Sequence, residues 1–98
     1  MDKEEFIKKM KQELNEFNYR YNIERNKFEA KAQHLNTDAK KRLEEELEKL
    51  RKKRKELKEK IVDLEVAGEN AWFEVKEGAE EAWKALSKAF KKATSHFK

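Results

Sequence analysis

The chain contains no cysteine and no proline, and its 98 residues include only two glycines, Gly68 and Gly78. Without cysteine it can form no disulfide, no thiolate nucleophile and no thiolate metal site, which is typical of proteins from a reducing compartment. Because proline and glycine are the usual helix breakers, their scarcity favours long helices.

Long apolar runs are also missing. The opening segment MDKEEFIKKM is charged throughout and lacks the apolar stretch of a signal peptide. No segment approaches the roughly 18 consecutive apolar residues that span a membrane. These absences predict a soluble, cytoplasmic protein.

The composition is unusually polar. Charged residues make up 47% of the chain and hydrophobic residues 37%, against roughly 25% and 45–50% in an ordinary globular domain. Such a chain cannot surround a thick core, so its apolar residues must follow a narrow seam. Six Phe, two Trp and two Tyr argue against disorder. We therefore predict a single helical coiled-coil domain over residues 1–98.

Apolar residues repeat along the chain with a period of eleven, a hendecad repeat. This period corresponds to about 3.67 residues per turn and predicts a straight or slightly right-handed coil. The repeat consists of Phe6, Phe17, Phe28, Ala39, Leu50, Ile61, Trp72 and Trp83. Steps of three and four residues add further apolar side chains to the same helical face. From this stripe we predict a self-association seam made of Met10, Leu14, Phe17, Tyr21, Phe28, Leu43, Leu47, Leu50, Leu57, Ile61 and Leu64.

Two short segments could interrupt the stripe. The capping residues Asn-Thr-Asp at 36–38 are suited to start a new helix at Thr37 or Asp38. Further on, Gly68 suits the left-handed position after a helix end, and Asn70 suits the next N-cap. The apolar phase nevertheless continues across both segments, which argues against a loop at either place.

Charge order marks the C-terminal segment as a separate helix. Residues 69–81 are mainly acidic, and residues 84–98 carry lysines without any acid. Negative charge first and positive charge last complements the helix dipole. The chain is therefore expected to reverse near residue 69 and form a helical hairpin.

The architecture we favour is an all-α elongated coiled coil, with a long helix over about 2–66 followed by an antiparallel C-terminal helix over about 70–97. At 1.5 Å per residue the long helix would extend on the order of 100 Å. Its N-terminal half would need a second chain to cover it, so we expect a homo-oligomer, either a dimer or a tetramer. The alternative is an antiparallel three-helix bundle with breaks near 36–38 and 68–70.

An aromatic face distinguishes the segment 70–98. It consists of Trp72, Trp83, Phe90 and Phe97, with lysines flanking its second half. One interpretation is reversible binding to a membrane surface, with the lysines toward anionic headgroups. The interpretation we favour is that these rings form the core of the hairpin. Phe73 lies beside this face and is the aromatic residue expected to be exposed.

The basic run KLRKKRKELKEK, residues 49–60, holds eight basic and two acidic residues. Such a run can bind nucleic-acid phosphates. Here the basic residues surround the helix, and no aromatic side chains interleave with them to stack on bases. The net charge is only +4, so we expect no nucleic-acid partner.

Candidate residues for chemistry are scarce. His34 and His96 are the only histidines, and neither has a carboxylate or a second histidine at ligand spacing. The Glu-x-x-His pairs of di-iron helical bundles are absent, as are Gly-rich phosphate loops and serine nucleophile motifs. We predict no catalytic, metal or cofactor-binding residue, and hence a protein that is not an enzyme.

The two ends of the chain carry a family resemblance. The residues concerned are Ala71-Trp72, Gly78, Ala82-Trp83, Leu86 and Phe97-Lys98 at one end, and Glu5-Phe6-Ile7, Lys9-Met10, Leu14 and Phe17-Asn18 at the other. With them the chain resembles small, uncharacterised bacterial coiled-coil domain-containing proteins with paired Ala-Trp motifs near the C-terminus. The likeness covers most of the chain in layout, but is specific only at the two Ala-Trp pairs. It departs at Asn36-Thr37, where that group tends to be alanine-rich. The group has no established activity, so the resemblance implies a fold and not a function.

These observations favour a non-enzymatic, self-associating coiled-coil protein with a structural or protein-interaction role, including binding of a further protein partner. The alternative function is reversible membrane-surface binding through residues 70–98, related to stress.

Overall fold

The computed structural model describes residues 2–96, which form three α-helices and no strand. Helix α1 is Lys3–Ala32, α2 is Thr37–Val66 and α3 is Trp72–His96. Short turns join them, so consecutive helices run antiparallel, and the resulting rod measures 52 × 19 × 18 Å. The prediction of an all-α fold is confirmed.

The turn at residues 33–36 corrects the favoured architecture, because two helices replace the single one expected over 2–66. Asn36 is extended (φ −71°, ψ 171°), and its side chain accepts a hydrogen bond of 2.8 Å from the backbone N–H of Ala39. An N-cap of this kind stabilises a helix by roughly 1 kcal/mol. The N-cap is therefore Asn36, and α2 begins at Thr37, one of the two positions that the sequence offers for a helix start.

The second turn lies where the sequence predicts it but has a different local structure. The carbonyl oxygen of Gly68 accepts hydrogen bonds from the backbone N–H groups of Ala71 and Trp72, both at 3.1 Å. Neither glycine has a positive φ, so the left-handed role expected for Gly68 is wrong. Asn70 is not an N-cap, because α3 begins two residues later, at Trp72.

One hydrophobic core runs along the rod. Leu57 and Leu64 of α2 and Leu86 of α3 are completely buried. All three helices contribute to the core, which comprises Phe6, Met10, Phe17, Tyr21, Phe28, Leu43, Leu47, Leu50, Leu57, Ile61, Leu64, Trp72, Ala79, Leu86 and Ala93. Among the described residues no polar or charged residue is buried. The stripe seen in the sequence is therefore the core of a three-helix bundle.

Aromatic rings connect α1 with α3. The Phe6 ring lies 6.3 Å from that of Trp72 at one end of the bundle. Further along, the Phe17 ring meets the edge of Phe90, with centroids 5.1 Å apart and an interplanar angle of 72°. Edge-to-face pairs of this kind are favourable beyond the area that they bury, so they hold α1 against a helix that is not its neighbour in sequence.

Candidate interaction sites

The predicted self-association seam lies inside a single bundle. Ten of its eleven residues are buried, and Leu14 is half-buried. Met10, Phe17 and Tyr21, which would face water in the long-helix architecture, are covered by α2 and α3 of the same chain. Covering the stripe therefore does not require a second chain, and self-association stays a prediction that needs other support.

The aromatic face of α3 points inward. Trp72 is buried, and Trp83 and Phe90 are half-buried against the core. Phe97, the fourth residue predicted for this face, lies outside the described residues. For α3 to bind a membrane surface through these rings, it would have to leave the bundle.

Two aromatic side chains are exposed among the described residues. Phe73 is 62% exposed, as expected, and its ring stacks on that of Trp72 with centroids 4.4 Å apart. Tyr19 on α1 is more exposed still, at 71%. Tyr19 is not among the sites predicted from the sequence, although its position outside the apolar stripe is a signal that could have found it.

The turn at residues 33–36, here called the hinge, contains no helix-breaking residue. It has no glycine or proline, and none of its residues has a positive φ. Gln33 keeps helical angles (φ −62°, ψ −23°). Asn36 departs through its ψ of 171°, whereas a helix requires a ψ near −42°. The hinge can therefore join α1 and α2 into one helix without a strained residue.

Apolar residues also keep one helical phase across the hinge. Their separations are of three or four residues throughout, as in a continuous amphipathic helix. The residues are Phe28, Ala32, Leu35, Ala39 and Leu43. A straightened hinge would therefore present a single unbroken stripe.

A surface groove of about 690 Å³ lies between α1 and α2. It is lined by one apolar residue, three amides and four cations, with no carboxylate among its lining residues. These are Leu14, Asn15, Asn18, Asn22, Arg51, Arg54, Lys55 and Lys58. We call it the asparagine–arginine groove.

Tyr21 lies against two of the arginines in this groove. The Arg54 guanidinium lies 4.9 Å from the centre of the Tyr21 ring, within the range of a cation–π contact. Interaction with the Tyr21 hydroxyl, and to a smaller extent with Glu48, raises the pKa of the Arg51 guanidinium above its ordinary value. Arg51 therefore remains a cation at any physiological pH.

The described part of the chain lacks both a cluster of metal ligands and a membrane-spanning helix. Residues 2–96 contain no group of three or more histidine, aspartate or glutamate side chains placed to hold a metal ion. None of the three helices combines the length and the apolar character needed to cross a membrane.

Comparison of the chain with protein-family models, curated proteins and solved structures gave no match. The resemblance to the bacterial coiled-coil group therefore stays a prediction.

Proposed function

We propose that this chain is a non-enzymatic, self-associating helical protein with a structural or protein-interaction role, and that two chains associate by exchanging α1. In the exchange the hinge straightens, residues 3–66 become one helix, and α1 packs on α2 and α3 of a second chain. The observation that carries the proposal is the hinge, which joins two helices of matching apolar phase without glycine, proline or a positive φ.

The register of the hairpin supports this exchange. Near one end of the bundle, the Lys3 ammonium donates hydrogen bonds to the backbone carbonyls of Glu65 and Ala67. The midpoint of the chain between Lys3 and these two residues falls in the hinge. Two straightened chains lying antiparallel about the same centre would form the same α1–α2 contacts between chains. Exchange of an identical element is a low-cost route to dimers because no new interface is needed.

The energetic difference between the closed and exchanged forms is expected to be small. Each chain loses the Asn36 cap, worth about 1 kcal/mol, and regains helical hydrogen bonds through the hinge. The dimer also loses translational and rotational freedom. The balance should therefore respond to single substitutions in the hinge.

Two substitutions shift the balance in opposite directions. Asn36→Ala removes the cap and leaves a strong helix former, so it should favour the straight helix. Thr37→Pro should lock the closed form. Proline fits the first helical position, the extended Asn36 suits a residue before proline, and a proline ring there would clash with a continuous helix.

Sedimentation equilibrium tests the proposal. We expect a mass that rises with concentration from one chain, 11.8 kDa, toward two. Because two caps open per dimer, Asn36→Ala should raise the association constant by about thirtyfold, and Thr37→Pro should remain a monomer. A Thr37→Pro protein that dimerises as strongly as the wild type would refute the exchange of α1.

A further inference from the structure

The polar and charged side chains of the asparagine–arginine groove are not part of the hydrophobic core of the bundle. Its four cations occupy positions 51, 54, 55 and 58, a spacing that places them on one face of α2. The amides of Asn15, Asn18 and Asn22 stand on α1 across from them. Seven residues of helix span about 10 Å, so four positive charges and three amide groups line a short stretch of this surface groove.

These cations are poorly neutralised within the chain. Arg51 meets Glu48 at 3.5 Å, but both side chains are exposed, and such a pair contributes little. Within residues 2–96, Arg54, Lys55 and Lys58 form no ion pair. Clustered like charges repel one another, so an anion bound between them would relieve an existing repulsion.

One further feature indicates a prepared site. The Arg54 guanidinium is already oriented by its contact with the Tyr21 ring. A guanidinium held in this way loses less side-chain freedom when it binds phosphate oxygens.

We propose that the asparagine–arginine groove binds a condensed chain of phosphoryl groups, either a free inorganic polyphosphate or the triphosphate of a nucleotide. Arginine binds phosphate oxygens through paired N–H groups, lysine adds point charges, and amide N–H groups supply further donors. A short cleft with four cations suits closely spaced negative charges. A nucleic-acid strand fits less well, because no aromatic ring lines the groove for bases to stack on.

This inference is independent of the proposed self-association. The groove is formed by α1 and α2, and the exchanged dimer would form it in the same way between chains. Failure of the hinge experiment therefore says nothing against the groove, and loss of anion binding says nothing against exchange.

Isothermal titration calorimetry with sodium tripolyphosphate tests the proposal. We expect one site per chain, with an affinity that falls as salt rises. Lys55→Gln/Lys58→Gln should weaken binding about tenfold. The matched control is Lys88→Gln/Lys91→Gln, which makes the same charge change at the same spacing on exposed positions of α3. It should change the affinity by less than about twofold, because it lies outside the groove.

Further probes distinguish the source of the phosphate chain. Binding of ATP as tight as that of tripolyphosphate would support a nucleotide ligand, and weaker binding of ATP would support inorganic polyphosphate. Monophosphate should bind more weakly than either. In the wild-type protein, tripolyphosphate should shift the side-chain amide resonances of Asn15, Asn18 and Asn22 in the NMR spectrum.

Three results would overturn the inference. The first is an equal loss of affinity in both double variants, which would show attraction to net charge alone. The second is tripolyphosphate that does not bind, or that shifts resonances outside the groove. The third is tighter binding of a single-stranded oligonucleotide than of tripolyphosphate, which would assign the groove to nucleic acid.

Discussion

Phe17 is the residue whose truncation tests the bundle most severely. It is buried, stacks on Tyr21 at 5.9 Å and meets Phe90 edge-on at 5.1 Å. Replacing a buried phenylalanine by alanine costs about 3–5 kcal/mol, from lost transfer energy and from the cavity left behind. Domains of this size have about 5–15 kcal/mol of total stability, so Phe17→Ala should remove a large part of it.

Urea unfolding followed by far-UV circular dichroism measures this loss, at a concentration where the wild type is monomeric. In a thermal scan, at about 4–8 °C per kcal/mol for a domain of this size, the melting temperature should fall by at least about 12 °C. The matched control is Tyr19→Ala, on the same helix two residues away. Because Tyr19 is 71% exposed, its replacement should change the stability by less than about 0.5 kcal/mol.

A double-mutant cycle isolates the contact between α1 and α3. Phe17→Ala and Phe90→Ala should couple by about 0.5–1.5 kcal/mol, the range for an edge-to-face pair. If Phe17→Ala and Tyr19→Ala had equally small effects, α1 would not be packed as the structure has it. A coupling free energy of zero between Phe17 and Phe90 would show that α1 and α3 do not make this contact.

Two further predictions concern α3. Gly78→Ala should stabilise the fold by about 0.5–1 kcal/mol, because the new Cβ meets only the Lys60 side chain at 3.8 Å and alanine is the better helix former. Thermal melting measures this change, and a lowered melting temperature would contradict the prediction. The fluorescence of Trp72 and Trp83 should be blue-shifted in buffer and change little when anionic phospholipid vesicles are added. A large further shift on adding vesicles would instead favour the membrane-surface function, with α3 leaving the bundle.

The core could be predicted from the sequence because burial in a helical bundle follows periodicity. Of the eight residues of the eleven-residue repeat, the structure buries six and leaves Ala39 and Trp83 half-buried. Helix α3 begins close to the predicted residue 70, because the charge order and the Gly68 region mark the same place. Periodicity does not report which side chain covers which, since the same stripe can pair within a chain or between chains.

The hinge could not be predicted from the stripe, because two signals disagree there. Continuity of the apolar phase through Leu35 favours one helix, whereas Asn36 favours a new N-terminus. The hairpin satisfies both, since each half of the stripe still meets an apolar partner after the turn. The local cap therefore decides the structure, and the continuous phase remains as the feature that permits exchange.

The sequence indicates only one side of the asparagine–arginine groove, the basic residues of α2. The basic run at 49–60 stands out, and its charges surround the helix when α2 is considered alone. Only the hairpin shows that four of them share a groove with the asparagines of α1. Contacts of this kind depend on the register between helices, which no pattern within a single helix determines.

The exchange of α1 is tested most directly by an intrachain distance across the hinge. The distance between spin labels at Glu16 and Lys52, two exposed positions, can be measured by pulsed electron–electron double resonance in labelled chains diluted with unlabelled protein. In the closed bundle these positions lie on adjacent helices, about 10 Å apart at the helix axes. In a straight helix, the 36 residues between them extend about 54 Å.

We expect the short distance in dilute protein, and a second population near the long distance that grows with concentration and in Asn36→Ala. Thr37→Pro should show the short distance at every concentration. A dimer in which every labelled chain keeps the short distance would contradict the exchange of α1.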